Sequence, residues 1–377
     1  MNVVQYFSPG TIVKYQACHH IADGMEDPSR FILDRVFWSF KPCIDGFAYF
    51  KPIIQVEETF LTEKYTETLL IASSQDGNKR VFPVAFAIVE GETKEAWEGF
   101  FYNLKTYVTP QPNLCIILDR RTDLLVALRN ELTGWSSDQS VYYIRHLASN
   151  FNKEFRDSDL KDKVVQMSYE LMRPQFERML NFLRQKHPRT GAWLDQIPKQ
   201  KWNQAYDEGR HFGEMTTNLV ECINGVLKGS RTLPITTLVR EIYYRLNEWF
   251  IQHRDEATNM IRTLNIYYEE LTKVIKENQR QSICQLVRTF SREIGVSEVD
   301  VVSRSGGRQA MIYTIKLADS WCDYGEFQSL RLTCSHVIAI CASLALDYGQ
   351  FISLIYQLDN IVKAYGCHFQ LIGNEEY

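Results

Sequence analysis

Carboxylates stand at the ends of two apolar segments of the sequence. Asp119 directly follows the run Leu114–Leu118, and Glu57 closes the segment Pro52–Glu57. Neighbouring strands of one sheet can aim such carboxylates at a single point, and oxygen ligands of this kind suit Mg²⁺. Paired metals promote phosphoryl transfer by activating the attacking oxygen and stabilising the leaving oxygen. The pattern therefore indicates a sheet that supports metal-dependent phosphoryl transfer.

Four predicted strands and one helix would position these carboxylates. The strands are short and rich in Ile, Val, Leu and Phe: Pro52–Glu57, Thr68–Ser74, Val81–Val89 and Leu114–Leu118. The segment Gln75-Asp76-Gly77-Asn78 has the composition of a hairpin turn, and Thr93 is placed to cap a helix. Three antiparallel strands, a crossover helix and a further strand ending in an acid form the core of a ribonuclease H-like sheet. The predicted fold class is therefore α/β with a mixed sheet.

Helical patterns dominate the rest of the chain. The predicted elements are a helix over Arg121–Leu132, a strand over Val141–Ile144, mostly helical residues over 146–217, a helix over Leu219–Leu227, a long helix from Pro234 with helical pattern to about Val287, a loop over Ser303–Arg308 and an exposed strand over Met311–Leu317. Proline suits the first turn of a helix, and an apolar stripe follows Pro234.

Composition is typical of a globular protein. The 377 residues leave room for two or three domains, with 45% hydrophobic and 23% charged residues. The sequence has no run of about 18 apolar residues, so no membrane span is predicted. Nine cysteines without a signal-peptide pattern indicate reduced thiols, with a metal site as an option, rather than a disulfide framework.

The net charge of −4 argues against a broad DNA-binding face, because such faces are usually basic. Any contact with DNA would have to be local. One candidate is a basic strip that contains Arg184, Lys186, Arg189, Lys199 and Lys201. A solvated loop between helices is the alternative interpretation of the same residues.

Several stretches of the chain, in order, are similar to the transposase domain of plant Mutator-like elements. They read KPCIDGFAYFKPIIQV, VFPVAFAIVEGETKEAW, YIRHLASNFNKEF, MTTNLVECINGVLKG, LPITTLV and CSHVIAIC. The similarity runs from Phe7 to Tyr377. It implies a ribonuclease H-like domain with a helical insertion, DNA as the partner, strand cleavage and transfer as the ancestral reaction, and a nuclear location. No membrane partner is implied, and a homo-oligomer stays open.

The resemblance assigns three acids to the catalytic set of such transposases, which holds two Mg²⁺ ions. They are Glu57, Asp119 and Glu221. At the first position the family pattern Val-Asp-Gly-Thr is replaced by Val56-Glu57-Glu58-Thr59. Glutamate is one methylene longer than aspartate, and a displacement of about 1 Å costs about 100-fold in rate. Glu58 adds another anion, so we expect catalysis to be severely impaired or lost.

Two of these acids also have structural interpretations, and a further residue departs from the family pattern. Asp119 can cap the turn after its strand. Glu221 follows Asn218 by three residues, which is the spacing of a capping box. Arg121, like Glu58, stands where the family pattern has glycine.

The segment Trp321–Cys341 resembles the SWIM zinc finger, whose pattern is Cys-x-Cys, a hairpin, and then Cys-x-His opening a helix. The matching ligands are Cys322, Cys334 and His336. Tyr324 occupies the second cysteine position, and a structural Zn²⁺ needs four ligands, so the expected zinc site is weak or partial. Cys341 lies too far along the predicted helix to complete it, and Asp323 points to the opposite face of its strand. The alternative is a small ββα unit without metal, held by the side chains of Trp321, Phe327, Leu332, Val337 and Ile340.

We therefore predict five regions. They are the tail of an N-terminal module over 1–50, a transposase domain over 51–230 with its helical insertion at about 146–217, a helical region over 231–290, a zinc-finger module over 303–345 and a C-terminal tail over 346–377. The predicted function is that of a transposase-derived protein with impaired catalysis, a zinc-binding module and a residual DNA-binding role. A DNA-binding transcriptional regulator of the far-red response type and the product of a decaying transposon are the alternatives.

Overall fold

A mixed sheet of seven strands lies in the first part of the chain. In the computed structural model the strands are β1 (Ile12–Ala22), β2 (Met25–Ser39), β3 (Ile53–Phe60), β4 (Thr68–Gln75), β5 (Val81–Val89), β6 (Cys115–Leu118) and β7 (Ser140–Tyr142). Their order across the sheet is β1-β2-β5-β4-β3-β6-β7. The structure describes residues 2–22, 25–61, 66–111, 113–215, 229–291, 295–301 and 311–370. The predicted α/β class with a mixed sheet is confirmed.

The chain divides into two compact units. The first comprises Met1–Ser140, Thr217–Leu264 and Leu358–Tyr377, and the second comprises Val141–Thr216 and Asn265–Gln357. Each unit thus combines segments that are far apart in sequence. The segment 1–50, interpreted from the sequence as the tail of a preceding module, supplies β1 and β2 to the sheet.

The centre of the sheet is formed by β4 and β5. Every residue of β4 is buried, and in β5 all residues except the half-buried Val81 are buried. Asp76 fixes the turn between the two strands, because its Oδ1 accepts hydrogen bonds from the backbone N–H groups of Asn78 and Arg80, both at 2.8 Å. Near-continuous apolar runs are typical of strands that are covered on both faces, and here they form the core.

Strands β3 and β6 are parallel neighbours. Their register pairs Ile53 with Cys115 and Gln55 with Ile117. Both strands therefore run in the same direction, but β3 continues to Phe60, so Glu57 lies inside β3 and not at its end as predicted. Because β3 is antiparallel to β4, and β4 to β5, three antiparallel strands are followed by a parallel fourth, as the sequence predicted.

The helices follow the predicted order with changed ends. They are α1 (Asn2–Phe7), α2 (Lys41–Phe47), α3 (Lys94–Asn103), α4 (Thr122–Arg129), α5 (Ile144–Phe155), α6 (Ser158–Ser168), α7 (Arg173–Lys186), α8 (Pro188–Asp195), α9 (Ile235–Arg262), α10 (Glu269–Ser282), α11 (Glu326–Leu330), α12 (Ser335–Ser343) and α13 (Leu358–Ala364). Thr93 caps α3 as predicted, since its Oγ1 accepts a hydrogen bond from the Ala96 N–H at 3.1 Å. Within the described residues, no helix is both long and apolar enough to cross a membrane.

Two predicted helix boundaries in the first unit change. The helix predicted over Arg121–Leu132 ends at Arg129, because Asn130 adopts an extended conformation and its side chain caps a 3-10 turn instead. Pro234 is the N-cap residue of α9 rather than part of its first turn.

The predicted apolar stripe of α9 is largely buried. Its buried residues include Leu238, Val239, Ile242, Leu246 and Phe250. In the region predicted as a C-terminal tail, α13 packs against α9.

The second unit contains α5 to α8 and a C-terminal module. The module is an antiparallel sheet of β8 (Gln285–Ser291), β9 (Val296–Val301), β10 (Met311–Lys316) and β11 (Trp321–Cys322), with α12 packed on it. The helical pattern predicted to Val287 is therefore wrong at its end. Val287 pairs with Val299 in the sheet, and this tertiary contact overrides the local pattern.

Two further predictions concern the ends of the insertion and the loop of the module. The strand predicted over Val141–Ile144 is β7, and Ile144 already opens α5. The predicted helix Leu219–Leu227 and the predicted loop Ser303–Arg308 lie outside the described residues.

Candidate metal centre and acid pair

The C-terminal module brings together two thiols and an imidazole. Cys322 lies in β11 opposite Ile315, Cys334 is the N-cap residue of α12, and His336 lies in the first turn of that helix. One ligand atom from each of the three side chains lies within 4.8 Å of the others, and all three residues are buried. The Sγ of Cys322 is 3.8 Å from the Nδ1 of His336. Two sulfur atoms and one nitrogen atom are ligands that Zn²⁺ prefers, so the donor set fits zinc.

The two thiols of this cluster have opposite acidities. At Cys322, the hydrogen bond with Cys334 and burial raise the pKa. At Cys334, burial opposes ionisation, but hydrogen bonds with Cys322 and His336 outweigh it and lower the pKa of the thiol. A bound metal would require both thiols to ionise.

Tyr324 packs beside the cluster as an aromatic side chain. Its ring centroid is 5.3 Å from that of His336, and the ring of Tyr313 lies 4.3 Å from the same imidazole. Burial raises the pKa of the Tyr324 hydroxyl, so this residue is a still poorer anionic ligand than a free phenol. The side chain at the second cysteine position thus covers His336.

Two other side chains near the cluster are placed as predicted. The carboxylate of Asp323 accepts a hydrogen bond from the backbone N–H of Thr314 through Oδ2 at 2.8 Å, and Asp323 is exposed. Cys341 is buried in the core of the module, and it is not one of the three residues whose ligand atoms lie within 4.8 Å of one another. Neither residue completes the cluster.

Glu326 is an acidic neighbour of the cluster that sequence reasoning missed. Burial raises the pKa of its carboxyl to about 7, and the negative charge of Cys334 adds to the increase, whereas Asn278 and His336 oppose it. The available signal was an acid two positions after Tyr324 and directly before the aromatic Phe327. Local spacing could not show that the chain folds this acid back towards Cys334.

An apolar core surrounds the cluster. Its buried members, besides the two cysteine ligands, are Val299, Ile315, Phe327, Val337, Ile340 and Cys341. Of the side chains expected to hold a metal-free unit, Phe327, Val337 and Ile340 lie in this core, Leu332 lies in a neighbouring cluster and Trp321 is only half-buried. The metal-free alternative therefore has a physical basis as well.

The two predicted acids lie on neighbouring strands: Glu57 is inside β3, and Asp119 directly follows β6. The register pairs Gln55 with Ile117, and extending it by two residues places Glu57 beside Asp119 on the same face. Both are half-buried. The Oδ1 of Asp119 accepts a hydrogen bond from the backbone N–H of Arg120 at 2.6 Å, which is the turn-capping role considered above. Glu221, the third acid of the set, lies outside the described residues.

An ion cluster adjoins these strands. The Nη1 of Arg121 lies 3.2 Å from the Oε1 of Glu58, and the same guanidinium contacts Glu92. Glu58 belongs to β3, Glu92 lies in the turn before α3, and Arg121 is the N-cap residue of α4. One cation therefore joins three elements. It also balances the charge of Glu58, which stands where the family pattern has glycine.

The predicted basic strip is largely neutralised within the protein. Arg184 pairs with Asp195 and Lys199 pairs with Glu177, each at 2.5 Å between nitrogen and oxygen. Lys201 is buried. Arg189 lies 3.9 Å from Glu154, between Nη2 and Oε1, and Lys186 is exposed, so the solvated-loop interpretation describes most of the strip better.

Comparison with known proteins bears on the sheet and its acid pair. The family described as the MULE transposase domain matches residues 53–149. That range begins at β3, contains both placed acids and ends within α5. None of the curated proteins compared with the chain matches it. The matched part is thus similar to a transposase domain, and the family match says nothing of the segments around it.

Proposed function

We propose that this chain is a transposase-derived protein of the Mutator-like type. Its ribonuclease H-like domain is catalytically impaired, and its C-terminal module binds zinc in the manner of a SWIM finger. The observation that carries the zinc assignment is the buried group of Cys322, Cys334 and His336. The family match over 53–149 supports the transposase origin. DNA is the proposed partner and the nucleus the proposed location.

Zinc would act as a structural cross-link. Its ligands come from β11 and from the start of α12, so a shared ion would fasten the strand to the helix. Small metal modules gain much of their folding free energy in this way. Because both thiols must ionise, binding would release protons and would weaken in acid.

Metal analysis of the purified chain tests the zinc assignment. We expect about one Zn²⁺ per chain in the wild type, none in Cys334→Ala, and wild-type content in Cys341→Ala. Cys341 is the matched control, because it is an equally buried cysteine of the same core outside the ligand group. Absence of zinc from all three proteins would contradict the proposal and favour the metal-free unit.

The impaired catalysis follows from the first acid position. Glu57 reaches one methylene further than the aspartate expected from the resemblance, and the neighbouring Glu58 is held by Arg121. Misplacement of a metal ligand by about 1 Å costs about 100-fold in rate. The longer side chain of Glu57 would therefore place its carboxylate away from the position that an aspartate would occupy beside Asp119.

Restoring the expected residues tests this half of the proposal. We expect no Mg²⁺- or Mn²⁺-dependent DNA cleavage by the wild type, and measurable cleavage by the double variant Glu57→Asp, Glu58→Gly. Adding Asp119→Asn to the double variant should abolish that cleavage. If the wild type cleaves DNA as fast as the restored variant, the assignment of impaired catalysis is wrong.

A further inference from the structure

A cleft of about 240 Å³ lies in the second unit, between the helical insertion and the C-terminal module. The insertion contributes residues from the start of α7 and from the segment 204–208, and the module contributes residues from 319–331. Pockets for drug-sized ligands are larger, at about 300–1,000 Å³, so this cleft has room for one small group and excludes a duplex. Its charged and aromatic lining residues are Arg173, Glu208, Asp319, Trp321, Asp323 and Arg331.

Close backbone contacts fix the two walls of the cleft against each other. A Cβ atom at Gly209 would overlap the carbonyl oxygen of Gln328, and a Cβ atom at Gly325 would overlap the carbonyl oxygen of Leu171. Both glycines also have a positive φ, +75 and +92, which other residues rarely adopt. The shape of the cleft is therefore set by tight packing of the insertion on the module.

The two arginines of the cleft have no carboxylate partner among the residues that the structure describes. Arg173 donates from Nε to a backbone carbonyl oxygen at 2.8 Å, and its guanidinium lies 5.0 Å from the ring centroid of Tyr206. Arg331 donates from Nη2 to another carbonyl oxygen at 3.4 Å, and its guanidinium lies 5.9 Å from the ring centroid of Phe212. Both guanidiniums are thus positioned by neutral groups and keep N–H donors for an anion. Their planar geometry matches that of a phosphate.

The other lining groups suit a nucleobase. Trp321 is half-buried, and the Nζ of Lys316 lies 5.6 Å from its ring centroid. Aromatic rings of this kind stack on bases of any sequence. Asp319 and Asp323, like Glu208, bring carboxylates to the cleft, and carboxylates accept hydrogen bonds from the amino group of cytosine. A free phosphate would be repelled by these acids, whereas a nucleotide offers a phosphate to the arginines and a base to the other groups.

We propose that the cleft binds one unpaired nucleotide of DNA. Arg173 and Arg331 hold its phosphate, Trp321 stacks on its base, and the carboxylates accept from the amino group of the base. This inference rests on the proposed DNA partner. It assigns a DNA contact to the second unit, whereas the acid pair belongs to the first. A single nucleotide needs positive charge only locally, which agrees with the net charge of −4.

Binding of a short, fluorescently labelled oligodeoxycytidine strand tests the role of the arginines. The double variant Arg173→Gln, Arg331→Gln should bind the strand at least about tenfold more weakly, because charge-assisted hydrogen bonds to the phosphate are lost. The slope of log affinity against log salt concentration should become shallower by about 0.7, the value for one phosphate contact on a single strand. Fluorescence anisotropy at several salt concentrations measures both quantities.

Further variants test the stacking and supply the control. Trp321→Leu should weaken binding at least about fivefold, whereas Trp321→Phe keeps a stacking ring and most of the affinity. Arg189→Gln is the matched control, because Arg189 is an arginine of the same unit that does not line the cleft and its side chain is 87% exposed. Its affinity and salt slope should equal those of the wild type. Urea denaturation verifies that each variant is folded.

A blunt-ended duplex separates the possible outcomes. The double variant and the wild type should bind the duplex equally, because it offers no unpaired nucleotide. If the double variant loses as much affinity for the duplex as for the single strand, the assignment to an unpaired nucleotide is wrong. If the wild type binds the single strand and the arginine variants keep its affinity and slope, only the role of the cleft is wrong. If the wild type binds neither DNA, the DNA partner proposed above fails, and this inference fails with it.

Discussion

The acid pair and the thiol cluster differ in how far apart in sequence their members lie. Glu57 lies in β3 and Asp119 directly follows β6, so the two residues become neighbours only through the pairing of these strands. Cys322, Cys334 and His336 belong to one short segment, in which a turn and the start of a helix bring them together. The first site depends on the register of a sheet, and the second depends on local folding and on its module's core.

The two regions also accommodate an unexpected residue in different ways. At the sheet edge, Glu58 stands where glycine was expected, and its charge is balanced by Arg121. In the module, Tyr324 stands where a thiol was expected, and its ring packs against His336. The added charge at the sheet edge is balanced by an opposite charge, whereas the added aromatic ring in the module is accommodated by packing against another ring.

Metal removal should produce the largest contrast between the two regions. Treatment with a strong chelator should increase amide hydrogen exchange in α12 and in β10 by at least about 100-fold, because the cross-link and its folding free energy are lost. Exchange in β4 and β5 should not change. Hydrogen-exchange mass spectrometry measures both regions in one sample. Equal protection of α12 before and after chelation would show that the apolar core alone holds the module.

Removal of the Arg121 guanidinium should have an intermediate effect confined to the first unit. Arg121→Ala leaves Glu58 and Glu92 without their shared cation, and the free energy of unfolding should fall by about 1–2 kcal/mol. We place the effect at this level because Arg121 is 38% exposed and exposed pairs contribute less than buried ones. Urea denaturation measures it.

Two comparisons make the Arg121 result specific. Glu58→Gln in the Arg121→Ala background should recover part of the lost stability, because it removes one of the two repelling charges. Arg189→Ala is the control, since the Arg189 side chain is 87% exposed and its removal should change stability little. If both arginine variants are equally stable, the Arg121 cluster does not hold the sheet edge.

A further predicted effect is a pH dependence that belongs to the first unit alone. Burial, followed by the nearby charge of Arg80, lowers the pKa of His253 to about 4 from 6.5. The unfolded chain therefore binds a proton at this residue before the folded chain does, and the free energy of unfolding decreases as the pH falls from about 6.5 to about 4. Zinc binding in the module would weaken over part of the same range, so the two contributions must be separated.

His253→Gln separates them. The variant should lose the part of the acid destabilisation that comes from His253, and its unfolding curves at pH 7 and pH 5 should lie closer together than those of the wild type. The zinc content of the variant should stay unchanged. Identical pH dependence in both proteins would show that His253 does not titrate as its surroundings predict.

Local chemistry predicted several elements well. The hairpin over β4 and β5 follows from two apolar runs around a turn sequence, and Thr93 caps α3 because a hydroxyl at that position can accept from a free N–H group. The three grouped ligands were also predicted, since their spacing lies within one short segment. Each of these features depends on residues that are close together in the chain.

Contacts between distant residues decided the rest. The strand β8 replaced a predicted helical turn because Val287 pairs with Val299, and residues 1–50 joined the sheet because β2 pairs with β5. The hydrophobic periodicity of these two segments does not distinguish the observed strands from the structure that was predicted for them.

The sequence by itself determined which residue types are available for chemistry: two carboxylates that follow apolar residues and a short segment with two thiols and an imidazole. Only the tertiary structure decided what surrounds them. Arg121 reaches Glu58 and Glu92 across three elements, and Asn278 donates a hydrogen bond to the carbonyl oxygen of Thr333, the residue before Cys334. The physical reason is that charges and hydrogen bonds act through space, so their partners are fixed by packing and not by spacing along the chain.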